Sequence, residues 1–224
     1  MAEDVISDIN IEEFRKVFIR YTKKAFHMLP KLDKPRILDI GCGYGIQTIE
    51  VAKLSNGEII GIDIDQALLD KFTKKIEEAG FSNRIKAINC SLFEIDFPDE
   101  IFDIIWAEGS IWIIGFLKGL REWKRFLKPN GFLVVHDDIT NVKYRLKKVP
   151  SCGYKLINHF MVPEDAWWEE YFKPLEIRIN KLYKKYNNDP EALKILNKHQ
   201  KEIDMIKANP KMFLSAFYLF QKVA

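Results

Sequence analysis

Three glycines at alternate positions, Gly41, Gly43 and Gly45, close the short apolar run Ile37-Leu38-Asp39-Ile40. Such a run ending in glycines marks a strand buried on both faces that feeds a tight turn. Without a Cβ, the turn is free to bend sharply and to let a ligand approach the main chain. A helix over Ile46 to Leu54 is expected to follow, and the unit then recurs. The pattern predicts a strand over Ile59 to Ile64, a helix begun by Asp65 and closed by Gly80, and strands over Ile85 to Asn89 and Phe102 to Trp106. A helix over Phe116 to Leu127, a turn at Lys128-Pro129-Asn130-Gly131 and a strand over Phe132 to His136 complete the series. Strands alternating with helices through short connections imply a parallel sheet covered on both faces.

The flanks read differently. Phe14, Val17, Phe18, Tyr21, Ala25 and Met28 recur at three- and four-residue steps, which predicts one amphipathic helix ending before Pro30. Beyond Asp138 come a strand over Tyr154 to Val162, charged helices after Pro174 and Pro190, and a last strand over Met212 to Phe220. The two late strands are expected to pair antiparallel at one sheet edge. In the last helix, Ala192, Leu196, His199, Ile203 and Ile206 form a narrow apolar stripe. The expected fold class is therefore α/β: a doubly wound, mostly parallel seven-stranded sheet with an antiparallel C-terminal edge strand and a helical cap. One domain, 1–224, is expected, with a cap over 1–34, a core over 35–138 and C-terminal strands with a helical insertion over 139–224.

Charge and composition narrow the classes. The net charge of +3 arises from 35 basic and 32 acidic residues interleaved along the chain, so there is no electrostatic footprint for nucleic acid. The run Ile111 to Leu117 is far below the roughly 20 residues that span a bilayer, so no membrane partner is expected. The acidic N-terminus lacks a signal-peptide apolar region, and a cytoplasmic location is expected. Cys42, Cys90 and Cys152 are odd in number and show no C-x-x-C spacing, which argues for reduced thiols and no metal site.

Asp63 ends the second strand, 18 residues after Gly45, where a carboxylate in this architecture accepts hydrogen bonds from ribose hydroxyls. The dinucleotide fingerprint would need glycine or alanine three positions after Gly43, and the chain has Ile46 there. An NAD-dependent dehydrogenase is thus the alternative enzyme reading, and a cofactor-binding protein without catalysis the non-enzyme one.

With Asp39-x-Gly41-x-Gly43-x-Gly45 and Asp63 in place, the chain resembles the class I S-adenosylmethionine-dependent methyltransferases. Phe97-Pro98-Asp99, Phe102-Asp103-Ile104-Ile105 and Leu127-Lys128-Pro129-Asn130-Gly131 are similar to segments of the small-molecule, UbiE-like branch, so the resemblance runs from Arg36 to His136. The segment Trp106 to Gly115 resembles uncharacterised bacterial and archaeal members. The resemblance implies a Rossmann-like methyltransferase fold, S-adenosylmethionine as cofactor with S-adenosylhomocysteine as product, and a small-molecule acceptor. No adjacent prolines follow the fourth strand, unlike nucleic-acid amino-methylating relatives. A monomer or homodimer is expected.

The same resemblance makes 35–138 the cofactor-binding core. It assigns to the cofactor Asp39, Gly41, Cys42, Gly43, Gly45, Asp63 and Ile64, together with Ser91, Leu92 and Phe93. Gln47 and Thr48 open the helix after the loop, where free N–H groups attract a carboxylate, and Tyr21 lies on the capping helix. Ser91 departs from the family, which places Asp there for the adenine amino group; its hydroxyl is a neutral acceptor. Ligands of open α/β sheets bind at the carboxyl ends of strands. Glu108, His136 and Asp137 are accordingly the catalytic candidates, and Glu108, Trp112, Trp167 and Trp168 the candidates for the substrate pocket.

Overall fold

The computed structural model describes residues 2–223, so Met1 and Ala224 of the expected domain lie outside the described residues. The N-terminal segment is not one helix. It forms α1 (Ala2–Ile9), α2 (Ile11–Arg15), a tight turn at Lys16–Phe18 and α3 (Ile19–His27). Asn10, at φ 48°, turns the chain between α1 and α2; asparagine is among the few residues that visit the left-handed region readily. The stripe from Phe14 to Met28 continues across the turn at Lys16–Phe18, so periodicity did not reveal that break, and Asn10 lies ahead of the stripe.

The chain divides into two compact units, one of residues 19–161 with 215–224 and one of residues 1–18 with 162–214. The first contains a seven-stranded sheet: β1 (Arg36–Ile40), β2 (Glu58–Asp63), β3 (Ile85–Asn89), β4 (Phe102–Glu108), β5 (Leu127–Asp138), β6 (Tyr154–Met161) and β7 (Ser215–Lys222). Their spatial order is β3-β2-β1-β4-β5-β7-β6. β1 to β5 pair parallel, whereas β7 runs antiparallel to both β5 and β6. The C-terminal strand thus lies inside the sheet and β6 forms its outer edge. Between the parallel strands run α4 (Ile46–Leu54), α5 (Gln66–Glu78), the short α6 (Ile111–Ile114) and α7 (Phe116–Trp123), followed by α8 (Val142–Lys148).

Leu38, Ile40, Ile105, Leu133, Val135, Tyr218 and Phe220 are buried in one core cluster, as strands covered on both faces require. Asp65 caps α5 by accepting from the N–H groups of Ala67 and Leu68. The helix after Phe116 stops at Trp123 rather than Leu127, and a tight turn at Lys124–Phe126 leads directly into β5. The expected turn at residues 128–131 is a bulge within that strand: Leu127 faces Phe102, the register shifts before Ile104 meets Phe132, and Asn130 sits at φ 61°. A bulge uses the same Asn-Gly chemistry as a turn. The last strand starts at Ser215 rather than Met212, behind a tight turn at Pro210–Phe213.

The second unit packs α1 and α2 with α9 (Lys173–Lys185) and α10 (Pro190–Ala208). Lys185 and the Tyr186 hydroxyl both donate to Asp8, and Arg178 donates to Glu13 at 2.8 Å. Ala192, Leu196, Ile203 and Ile206 of the α10 stripe are buried as expected. Residues Ala166–Phe172 form a widened helical turn ahead of α9, which no sequence period announced. Among the described residues no helix is long and apolar enough to cross a membrane.

Candidate active site

The glycine loop joins β1 to α4 with Gly41, Gly43 and Gly45 all at positive φ. The constraints on the three differ. A Cβ on Gly41 would lie 2.5 Å from that of Ser110, and one on Gly45 would lie 1.8 Å from the Phe72 ring. A Cβ on Gly43 would meet nothing within 4 Å, so this glycine borders open space.

Asp63 ends β2 beside the loop. The Gly43 N–H donates to its Oδ2 and the Asp65 N–H to its Oδ1, both at 2.9 Å. Carboxylate and loop are thereby held together. A cavity of about 120 Å³ opens here, lined by Gly41, Asp63, Ile64, Ser91, Leu92 and Phe93, all of them sequence candidates. Ile62, Cys90 and Ile113 line it as well and were not foreseen; Ile62 lies near the end of β2, Cys90 follows β3 and Ile113 belongs to α6, and no spacing linked them to the loop. Ser91 accepts the Phe93 N–H at 3.3 Å, and its hydroxyl retains a proton and a second lone pair.

Asp39 is buried, and Thr48 donates to it at 2.5 Å. Burial raises its carboxyl to about 7, with Thr48 opposing and Asp63 adding to the rise. Cys42 is buried, and burial pushes its thiol up. Its sulfur packs against Gly61, where a Cβ would stand 3.0 Å away. Gln47 is half-buried in the first turn of α4. Tyr21 on α3 is buried, and Arg20 donates to its hydroxyl at 2.7 Å.

At the end of β4, Glu108 receives two hydrogen bonds on one oxygen, from Thr22 at 2.8 Å and from the Trp106 indole at 2.7 Å. Burial raises its carboxyl to about 8; both hydrogen bonds oppose the rise. Thr22, 86 residues away in sequence, was invisible as a partner because only the folding of α3 against the sheet unit brings it there. Glu108 stands opposite His136 in the β4–β5 register. His136 is buried, bonded to the Ser215 hydroxyl at 2.9 Å and stacked on Phe217. Burial lowers it to about 4, so it is neutral at pH 7. Asp137 pairs with Arg145 at 3.1 Å, and burial raises it to about 6.

Trp112 on α6 is 63% exposed, with its indole donating to the Gly109 carbonyl. Trp167 and Trp168 belong to the other unit, in its widened turn. Ser110, missing from the candidates, donates to the Ile40 carbonyl at 2.5 Å and packs on Gly41. A lone serine after a strand gave no signal of this.

Residues 37–131 match a family model described as a methyltransferase domain. The chain belongs to the class I S-adenosylmethionine-dependent methyltransferases. Within this family, the chain is 30% identical over 167 residues to a ubiquinone/menaquinone biosynthesis C-methyltransferase of Proteus mirabilis, covering 69% of this chain and 65% of the other. A sterol 24-C-methyltransferase of Gibberella zeae is 28% identical over 134 residues, 59% of this chain. The chain spans only 35% of that enzyme's length. A methyltransferase structure from Geobacter sulfurreducens, in complex with S-adenosylhomocysteine, superposes with a TM-score of 0.75 at 16% identity, covering 90% of each chain. A [4+2]-cyclase structure superposes at 0.77 with 19% identity, covering 92% of this chain and 81% of that one. At such identities these two show a shared fold.

Proposed function

We propose that the chain transfers a methyl group from S-adenosylmethionine to a small-molecule acceptor, with both units forming one methyltransferase domain. The observation that carries this reading is the cavity between the glycine loop and β3, where Asp63, Ile64, Ser91, Leu92 and Phe93 meet. The residues fit a nucleoside: a carboxylate for the ribose, apolar side chains for the faces of the base, a hydroxyl for its edge, and Gly43 with room beside it. When bound, this cofactor would supply a methyl group on a sulfonium, the carbon–sulfur bond breaking as the acceptor bonds to the methyl carbon and S-adenosylhomocysteine leaving.

The remaining work falls to the chain's own groups. Asp63 accepts from the ribose hydroxyls. The first-turn N–H groups of α4, at Gln47 and Thr48, attract a carboxylate, and Asp39 holds Thr48 in place. Glu108, raised to about 8 and with Oε1 held by two donors, takes up a proton from the acceptor in its ionised form, whose share grows as pH rises toward 8. His136 and Asp137 bound the same strand ends, His136 as a neutral imidazole, and Trp112 supplies an apolar rim. Cys42 and Tyr21 contribute packing around the cofactor.

The direct test is release of S-adenosylhomocysteine in the presence of acceptor panels, quantified by mass spectrometry. Acceptor-dependent release is expected. Cofactor binding without release from any acceptor would favour the second reading, a fold that binds the cofactor and does other work. The cyclase similarity keeps that reading in view.

A further inference from the structure

The helical unit contains a cavity of about 610 Å³, lined by Trp167, Trp168 and Phe213 together with Glu164, Asp165 and Lys207. We infer that it binds a small organic cation, an ammonium with carbon substituents, whose charge is met by the tryptophan faces and by Glu164 and Asp165. The volume lies within the range of roughly 300–1,000 Å³ of small-molecule sites.

The aromatic wall is fixed. The Trp167 ring lies 4.3 Å from that of Phe18 and 6.0 Å from that of Phe213. Both tryptophans are half-buried and line the cavity, with Trp167 anchored among Phe18, Tyr171, Phe172 and Phe213. They ride on the widened turn Ala166–Phe172, a distortion that is rare and concentrates at functional sites.

A cation already uses this wall: the Lys207 ammonium stands 5.6 Å from the Trp168 ring centroid, within reach of a cation–π contact. Charge then selects the ligand's sign. Lys207 is paired with Glu176 at 2.5 Å and Lys173 with Glu169 at 2.6 Å. Glu164 and Asp165 have no hydrogen-bond or ion-pair partner among the described residues. Two uncompensated carboxylates beside aromatic faces repel an anion and attract a cation. A neutral apolar ligand would gain nothing from them.

The inference does not rest on methyl transfer, and its test uses no S-adenosylmethionine. The full chain is titrated calorimetrically with choline and with 3,3-dimethyl-1-butanol, which replaces the charged nitrogen by carbon. Saturable choline binding is expected, at least about tenfold tighter than the isostere and weaker at high salt. Glu164→Gln with Asp165→Asn, at exposed positions, should weaken choline about fivefold or more without touching the fold. Trp168→Leu should weaken it about tenfold or more, with circular dichroism confirming structure. Equal binding of the two probes, absence of choline binding into the millimolar range, or unchanged affinity in the carboxylate variant would overturn the inference.

Discussion

Asp63 binds two main-chain N–H groups of its own chain, and those bonds fix where its carboxylate stands. Asp63→Ala should weaken binding of S-adenosylmethionine by about 1–3 kcal/mol; calorimetry on the purified variant measures it, and unchanged affinity would remove the ribose role. The glycines separate by what surrounds them. Gly43→Ala costs roughly 1–2 kcal/mol for its backbone conformation alone and intrudes on the cofactor. Gly45→Ala adds about 1–3 kcal/mol of overpacking against Phe72. Urea titration should therefore find Gly45→Ala the less stable, while cofactor titration should find Gly43→Ala folded but weak in binding. Glu108 and His136 set opposite pH dependences. The folded carboxyl, near 8 against 4.5 for the free group, holds its proton more tightly than the unfolded chain does. Its stabilisation is complete below pH 4.5 and lost as pH rises through 8. His136, near 4 against 6.5, stabilises above pH 6.5 and loses that as pH falls through 4. Melting curves of Glu108→Gln should lose part of the alkaline decline. An unaltered decline would mean that the carboxyl is not raised. Sequence made Asp63 and the glycines legible because loop chemistry is local; Thr22 and Ser110 were not, because their partners are distant in the chain.

At the scale of elements, β7 decides the integrity of the far half of the sheet, since it alone joins β5 to β6. Phe220 is fully buried there between the rings of Phe116, Tyr154 and Tyr218. Phe220→Ala should cost about 3–5 kcal/mol in chemical denaturation, whereas Leu156→Ala on the exposed part of β6 should cost far less. Comparable losses would contradict the assignment of β6 as an outer strand. The central parallel strands could be read from sequence because burial on both faces writes a mostly apolar run, whereas β3, at the sheet edge, is largely exposed. The break at Lys16–Phe18 could not, because the apolar stripe continues across it, and the bulge at Asn130 read as a turn because both use the same Asn-Gly chemistry. The widened turn over Ala166–Phe172 is likewise silent, since its residues suit an ordinary helix.

For the whole molecule, the glycine loop, the cavity beside Asp63 and the methyltransferase family model converge on residues 37–131. The helical unit falls outside that match, and there the sequence offered charged helices, one apolar stripe and the Trp167–Trp168 pair without their arrangement. Its charges and tryptophans acquire meaning once the widened turn, α10 and the tight turn after α10 bring them to one cavity. The central claim is that the loop and Asp63 hold S-adenosylmethionine. Calorimetric titration of the purified chain with S-adenosylmethionine, S-adenosylhomocysteine and NAD tests it most directly. Micromolar binding of both sulfur ligands with none of NAD is the predicted result; binding of NAD, or of neither sulfur ligand, would contradict it.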